Sequence, residues 1–229
     1  MRLYRRLLDY DDPKSLGVRL RRRRLPLLTS TIETVAQRIG RKIRIVDLGG
    51  TASYWRMVPP NLLASHVASV VLINLVETSP TCPAPLSYLR GDVCSLPDLA
   101  DDSFDLVHSN SVIEHVGDWQ RMKRFAAEAR RLSLSHFIQS PNFWFPIEPH
   151  FGLPFLHWLP EQIRARLCLR FGLGHSRRST TLDAAMIRVQ GIRLLDRLQM
   201  AALFPDSYIH RERLFGLTKS LIAVRTGQP

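Results

Sequence analysis

The sequence predicts an α/β protein built on a mostly parallel sheet, and three observations carry that prediction. Short apolar, often β-branched runs alternate with segments of helical spacing. Strands separated by helical segments imply the crossovers that join parallel strands. The last two runs are joined by a short stretch around Gly216, which suits an antiparallel hairpin instead.

Taken in order, residues 1–28 read as a basic N-terminal arm, and Thr29-Ser30-Thr31 caps a helix that runs to about Ile39 and closes at Gly40. Ile43 to Leu48 is a buried strand entering the turn Gly49-Gly50. Val67 to Val76 is a second strand, Leu86 to Leu89 a weaker third, Phe104 to Ser109 a fourth, and Ser135 to Ser140 a fifth that Pro141 stops. Trp119, Met122, Phe125, Ala129 and Leu132 fall at helical spacing between the last two, with Asp118 as N-cap. Pro141 to Pro160 holds five prolines together with Phe143, Trp144, Phe145, Phe151, Phe155 and Trp158. That composition suits an irregular, pocket-lining segment. Helices follow over about Thr181 to Val189 and from an Asp196 cap to Phe204, then strands over Ser207 to Leu214 and Ser220 to Arg225. Residues 29–229 thus read as one domain, with 141–178 inserted after the fifth strand.

Composition narrows the class. The chain has 229 residues, is 45% hydrophobic and carries a formal charge of +12. It can bury one sizeable core and is no disordered polymer. No apolar run approaches the roughly 20 residues of a membrane span, and the first residues lack an apolar signal segment, so a cytoplasmic chain, soluble or peripheral to a membrane, is expected. Cys82, Cys94 and Cys168 are odd in number and lack CxxC spacing, which argues for reduced thiols and against a disulfide framework or a zinc site, and no metal is expected. Charge is uneven: +9 over residues 1–44, −4 over 45–160 and +7 over 161–229. The cluster Arg19, Arg21, Arg22, Arg23 and Arg24 has the charge to meet phosphates, though a solvated arm is the favoured reading.

The candidate site begins at the first strand's carboxyl end, where open α/β sheets bind ligands. Asp47 stands ahead of Gly49-Gly50-Thr51, which lacks the third glycine of a dinucleotide fingerprint. A carboxylate there suits a ligand with an ammonium group and no pyrophosphate. Asn74, late in the second strand, can hydrogen-bond ribose hydroxyls, and Asp92 beyond the third can accept from a purine amine. Ser109-Asn110-Ser111-Val112-Ile113-Glu114-His115-Val116 is polar at the sheet edge and then enters a short helix.

Over about residues 40–141 the pieces IVDLGGT, the strand carrying Asn74, GDVCSLPDLADDSFDLV and SNSVIEHV resemble the class I S-adenosylmethionine-dependent methyltransferases. The closing FPDSYIHRERLFGLTKSLIAVR looks like the sixth and seventh strands of that fold, the last antiparallel. The resemblance implies a Rossmann-like seven-stranded sheet with helices on both faces and S-adenosylmethionine as cofactor. It places the methionine part on Asp47, Gly49, Gly50 and Thr51, the ribose on Asn74, and the adenine on Asp92 with Val93. Ser109, Asn110 and Ser111 would flank the sulfonium, with Glu114 and His115 close by. The thin glycine loop and Asn74, where an acidic residue is common, depart from the family pattern.

Methyl transfer needs positioning and desolvation, and a base when the acceptor carries a proton. His150, His115 and Glu148, in that order, are the candidates, while His66, His108 and His136 sit in or beside strand patterns and read as structural. The aromatic segment suits a small-molecule or lipid-like acceptor. Residues 161–178 interleave arginines with apolar side chains, as a membrane-surface helix or, more often, a helix packed on a core would. RNA methylation is the less favoured enzymatic alternative, since no appended RNA-binding module is visible, and a non-catalytic protein retaining the fold is the third.

Overall fold

The structure, a computed structural model, describes residues 15–76, 83–148, 150–173 and 177–227. Cys82 lies outside them; Cys94 and Cys168 are buried free thiols. The strands are β1 (Ile43–Leu48), β2 (Val67–Asn74), β3 (Leu86–Arg90), β4 (Leu106–Asn110), β5 (Ser135–Pro141), β6 (Tyr208–Leu214) and β7 (Leu217–Thr226). They form one sheet in the order β3-β2-β1-β4-β5-β7-β6. β1 to β5 pair in parallel, and β7 runs antiparallel to both β5 and β6. The expected α/β class, the parallel body and the antiparallel last strand are therefore all present.

The helices are α1 (Leu16–Arg22), α2 (Leu25–Ile39), α3 (Ala52–Trp55), α4 (Pro60–His66), α5 (Trp119–Leu132), α6 (Glu161–Arg170), α7 (Leu182–Gln190) and α8 (Arg197–Leu203). Their placement follows from the strands' alternation. Ile43 and Ile45 of β1 face a core with Leu28, Ile32, Val35 and Trp55, whereas Val46 and Leu48 face one with Phe125, Leu132, Met200 and Phe204. Both sheet faces are covered, which is why the strands read as nearly continuous apolar runs. A smaller third cluster, with Phe151, Leu156, Ala165, Cys168, Ala185 and Val189, joins the segment after β5 to α6 and α7.

Several boundaries differ from the sequence reading. α2 starts at Leu25 rather than at the Thr29 cap, with Pro26 in its first turn. Proline fits there because its ring presets φ and its missing N–H has no intrahelical partner to lose. The described part of the arm is helical: Ser15 caps α1 by accepting from Val18 N, and Val18, Arg24 and Leu28 are buried. Only Arg19, Arg22 and Arg23 of the arginine cluster are exposed in the way a solvated arm would have them. α3 and α4, of four and seven residues, are short and have no side-chain N-cap to mark them in the sequence. β7 begins three residues before Ser220, closing the hairpin tightly at Phe215-Gly216, both with positive φ of 50° and 80°. No helix of the described residues is long and apolar enough to cross a membrane.

Candidate functional site

The carboxyl ends of β1 and β4 open into a cavity of about 600 Å³. Its floor is Asp47, Gly49, Gly50, Thr51 and Tyr54, and its near wall is Asn110, Ser111 and His115. Gly49 has a φ of +76°, and a Cβ there would strike the Val112 side chain, 2.5 Å away. A Cβ on Gly50 would overlap the Asp47 carboxylate. The turn therefore needs two glycines, and their bare backbone is what the cavity presents.

Asp47 is 1% exposed and held from below. Trp55 Nε1 donates to its Oδ2 at 2.7 Å, and His108 Nδ1 lies 2.8 Å from its Oδ1. His108 is itself packed among Tyr54, Trp55 and Phe137. The expected structural role of this histidine is what the geometry displays. Asp47 thus offers negative potential beneath the glycine turn rather than an exposed carboxylate.

Asn74 Nδ2 donates to Gly50 O at 2.8 Å, tying the end of β2 to the turn and leaving its amide oxygen to accept from a hydroxyl. Asp92 binds Arg121 through two bonds of 2.9 and 3.0 Å and accepts from Cys94 N. The Arg121 guanidinium holds its carboxyl below the usual carboxylate range, despite some opposition from burial. Val93 is nearly buried beside it, and neither Asp92 nor Val93 lines the large cavity. Ser109 is fully buried and donates to Leu48 O, so it fastens β4 to β1, whereas Asn110 and Ser111 reach the cavity.

The three candidate bases come together. Glu148 accepts from the backbone N–H of His150 and Phe151 and from His150 Nδ1, and His150 Nε2 lies 2.8 Å from His115 Nε2. His115 Nδ1 is 3.2 Å from Gly191 O. Burial opposes the charge on Glu148, but its hydrogen bonds hold the carboxyl below its ordinary range. Burial likewise opposes a charged His150, and the Glu148 carboxylate outweighs it and raises that pKa. Burial and the neighbouring His150 lower that of His115. Directly beneath, Glu114 is fully buried and its pKa is pushed up to about 7 by burial.

Some lining residues have no counterpart in the sequence reading. Arg24 is 4% exposed and bonds Asn110 Oδ1 at 2.5 Å and Glu212 Oε2 at 3.0 Å. Lys219 also approaches Glu212, at 3.6 Å, and burial brings its pKa down to about 8. Arg24 sits in a run of arginines and Lys219 in a strand, so only the packing of α1 and β7 over the cavity reveals them. The aromatic segment contributes less than its composition implies. Of its six aromatic side chains Phe145 alone lines the large cavity; Phe143 and Phe151 line a separate one of about 240 Å³, and Trp144, Phe155 and Trp158 are largely exposed.

Comparison with known proteins agrees with this architecture. Residues 56–134 match the family model described as a methyltransferase domain. A search of the curated proteins found no match. Among solved structures, the PH0226 protein from Pyrococcus horikoshii OT3 is similar over 98% of both chains, with 14% identity and a TM-score of 0.54, which indicates a shared fold. An O-methyltransferase family protein from Burkholderia thailandensis is 13% identical over 88% of this chain, with a TM-score of 0.46, and this chain spans 57% of that protein's length. A 1,6-didemethyltoxoflavin-N1-methyltransferase from the same organism is 12% identical over 86% of this chain and 76% of its own, with a TM-score of 0.47. The sheet order and the likeness to PH0226 give this chain a Rossmann-like fold of the methyltransferase kind, and residues 56–134, about a third of the chain, carry the likeness to a methyltransferase domain.

Proposed function

We propose that this enzyme methylates a small, largely apolar acceptor of lipid-like character that carries an anionic group. The observation that supports the reading is the cavity itself. Leu20, Phe145, Ile147, Leu214 and Phe215 wall it, and it opens directly onto the glycine turn. A volume of about 600 Å³ is in the range of small-molecule sites.

Charge in the lining favours the anionic group. Arg24 and Lys219 share the carboxylate of Glu212, so the local balance is positive. A carboxylate or phosphate there would be met by charge-assisted hydrogen bonds in a water-poor setting. The cofactor supplies an activated methyl group on a sulfonium. What the chain supplies is position. Gly49, Gly50 and Thr51 give a backbone cradle, the buried Asp47 carboxylate a favourable potential for a cation, and Asn74 an acceptor for a hydroxyl. His115 and His150 line the cavity with their Nε2 atoms paired to each other, and that pair is the receiving end for the proton of an acceptor's O–H or N–H.

The test is binding followed by transfer. Calorimetry of the full chain should give one site for S-adenosylhomocysteine with a dissociation constant in the micromolar range or below. Labelled methyl from S-adenosylmethionine should then pass to long-chain or ring-bearing carboxylates in preference to their neutral analogues, and Lys219→Met should narrow that preference. Transfer to RNA alone, or cofactor binding with no preference for anionic apolar acceptors, would defeat the proposal.

A further inference from the structure

The pairing of His115 with His150 poses a problem of protons. Each ring's Nδ1 faces an acceptor that cannot donate: the Gly191 carbonyl for His115, and the Glu148 carboxylate for His150. Both Nδ1 atoms must therefore carry the hydrogen, and in the neutral rings both Nε2 atoms are bare. Yet the two Nε2 atoms lie 2.8 Å apart, with the ring planes at 84°. Two lone pairs do not approach that closely on their own; either a shared proton or a metal ion must hold them together.

A third donor converges on the same point. Glu114 is 0% exposed, and among the described residues its Oε1 has no partner and its Oε2 has only a long bond of 3.3 Å from Ser140. A Glu114 carboxylate oxygen and one ring nitrogen from each histidine all lie within 4.8 Å of one another. Ligand atoms around a tetrahedral zinc stand about 3.4 Å apart, given metal–ligand bonds of about 2.0–2.1 Å. To ligate such an ion the two histidine nitrogens, 2.8 Å apart, would open by about half an ångström, and Glu114, within 4.8 Å of them, would move in by little more than an ångström.

We propose that Glu114, His115 and His150 form a binding site for a divalent cation of the zinc class, with its open coordination position facing the acceptor cavity. Two imidazoles and one carboxylate are a donor set that suits a borderline cation better than calcium or magnesium, which prefer oxygen. The surroundings resemble those of metal-bound histidines generally. Glu148 accepts from the remote nitrogen of His150, and the Gly191 carbonyl from that of His115, which fixes both tautomers with Nε2 pointing inward. His115 and His150 line the large cavity and His115 is exposed, so an ion has an entry path. An oxygen or nitrogen of the acceptor is the natural fourth ligand; that clause rests on the methyl-transfer reading, while the metal site does not. Spacing alone could not announce the site, because His150 comes from the segment after β5, 35 residues beyond His115.

The experiment is a titration of chelator-stripped full-length protein with zinc chloride by calorimetry, without cofactor, alongside His115→Ala, His150→Ala and Glu114→Gln. One equivalent should bind with a dissociation constant at or below the micromolar range, and each histidine variant should weaken it at least tenfold. Binding of S-adenosylhomocysteine, measured on the same samples, reports separately on the fold and on the methyltransferase reading. Cobalt(II) added to the unmodified protein provides a check that needs no variant: a visible d–d absorption stronger than that of the aqueous ion, abolished by one equivalent of zinc, is expected. Absence of stoichiometric zinc binding together with an aqueous-type cobalt spectrum would overturn the proposal and leave a shared proton between the rings. Zinc binding that is unchanged in folded histidine variants would overturn it equally.

Discussion

Beneath the glycine turn, Asp47 accepts from Trp55 and faces His108, and both partners are themselves buried. A buried carboxylate without such partners would be several kcal/mol less stable, so the trio holds the charge under the cavity floor. Gly50 is the residue that makes room for it. In Gly50→Ala the new methyl group would collide with a carboxylate that has nowhere to go. The expected cost is about 1–3 kcal/mol of stability, as for other overpacked sites, with at least a tenfold loss of S-adenosylhomocysteine affinity. Urea denaturation and calorimetry check the two effects separately. The positions of Asp47, Gly49 and Gly50 were legible in the sequence because a strand running into glycines is a local pattern. That Asp47 would be satisfied by Trp55 and His108 was not, since neither partner's side-chain direction is set by its neighbours in the chain.

At the scale of elements, the strands and the capped helices could be read because period and caps agree. α8 is the clearest instance: Asp196 accepts from Gln199 N, and the Gln199 side chain accepts from Asp196 N. Asp196→Ala should destabilise the protein by about 1 kcal/mol and leave S-adenosylhomocysteine binding unchanged, since the cap lies outside the large cavity. A shifted denaturation midpoint with an unaltered binding isotherm is the expected pair of results. α1 was hidden by contrast, because its sequence is dominated by arginine. Its apolar and small positions, Gly17, Val18 and Leu20, count only once a cavity is there to be covered. The segment after β5 was recognised as irregular, but which of its aromatic side chains turn inward depends on α6 and α7, against which Phe151 and Leu156 pack.

Across the whole molecule, pH should act through buried histidine as well as through carboxylates. His136 lies in β5 beside Phe204, with Asp206, Arg225 and Arg130 nearby, and burial lowers its pKa from 6.5 to about 4. The unfolded chain takes up this proton near pH 6.5 and the folded one does not until about pH 4. The stabilisation is therefore fully present above pH 6.5 and is lost as pH falls through that window, by up to about 3 kcal/mol. Wild type and His136→Gln compared by urea denaturation at pH 7.5, 5.5 and 4.5 should show the variant's deficit shrinking as pH falls. A deficit that stays constant would mean His136 is not held neutral.

The sequence by itself determined the alternation of strands and helices, the parallel body with an antiparallel close, and the glycine turn with Asp47, Asn74 and Asp92 at successive strand ends. These depend on period, capping and turn chemistry, which act over a few neighbouring residues. Tertiary structure alone decided which polar groups face one another: Arg24 with Glu212 and Asn110, Asp92 with Arg121, and His115 with His150 over Glu114. Those contacts join residues 29 to 188 positions apart in most cases, so they arise only when the crossovers bring distant elements to the same end of the sheet. Burial then sets their charge, and charge and shape together fix what the cavity can hold.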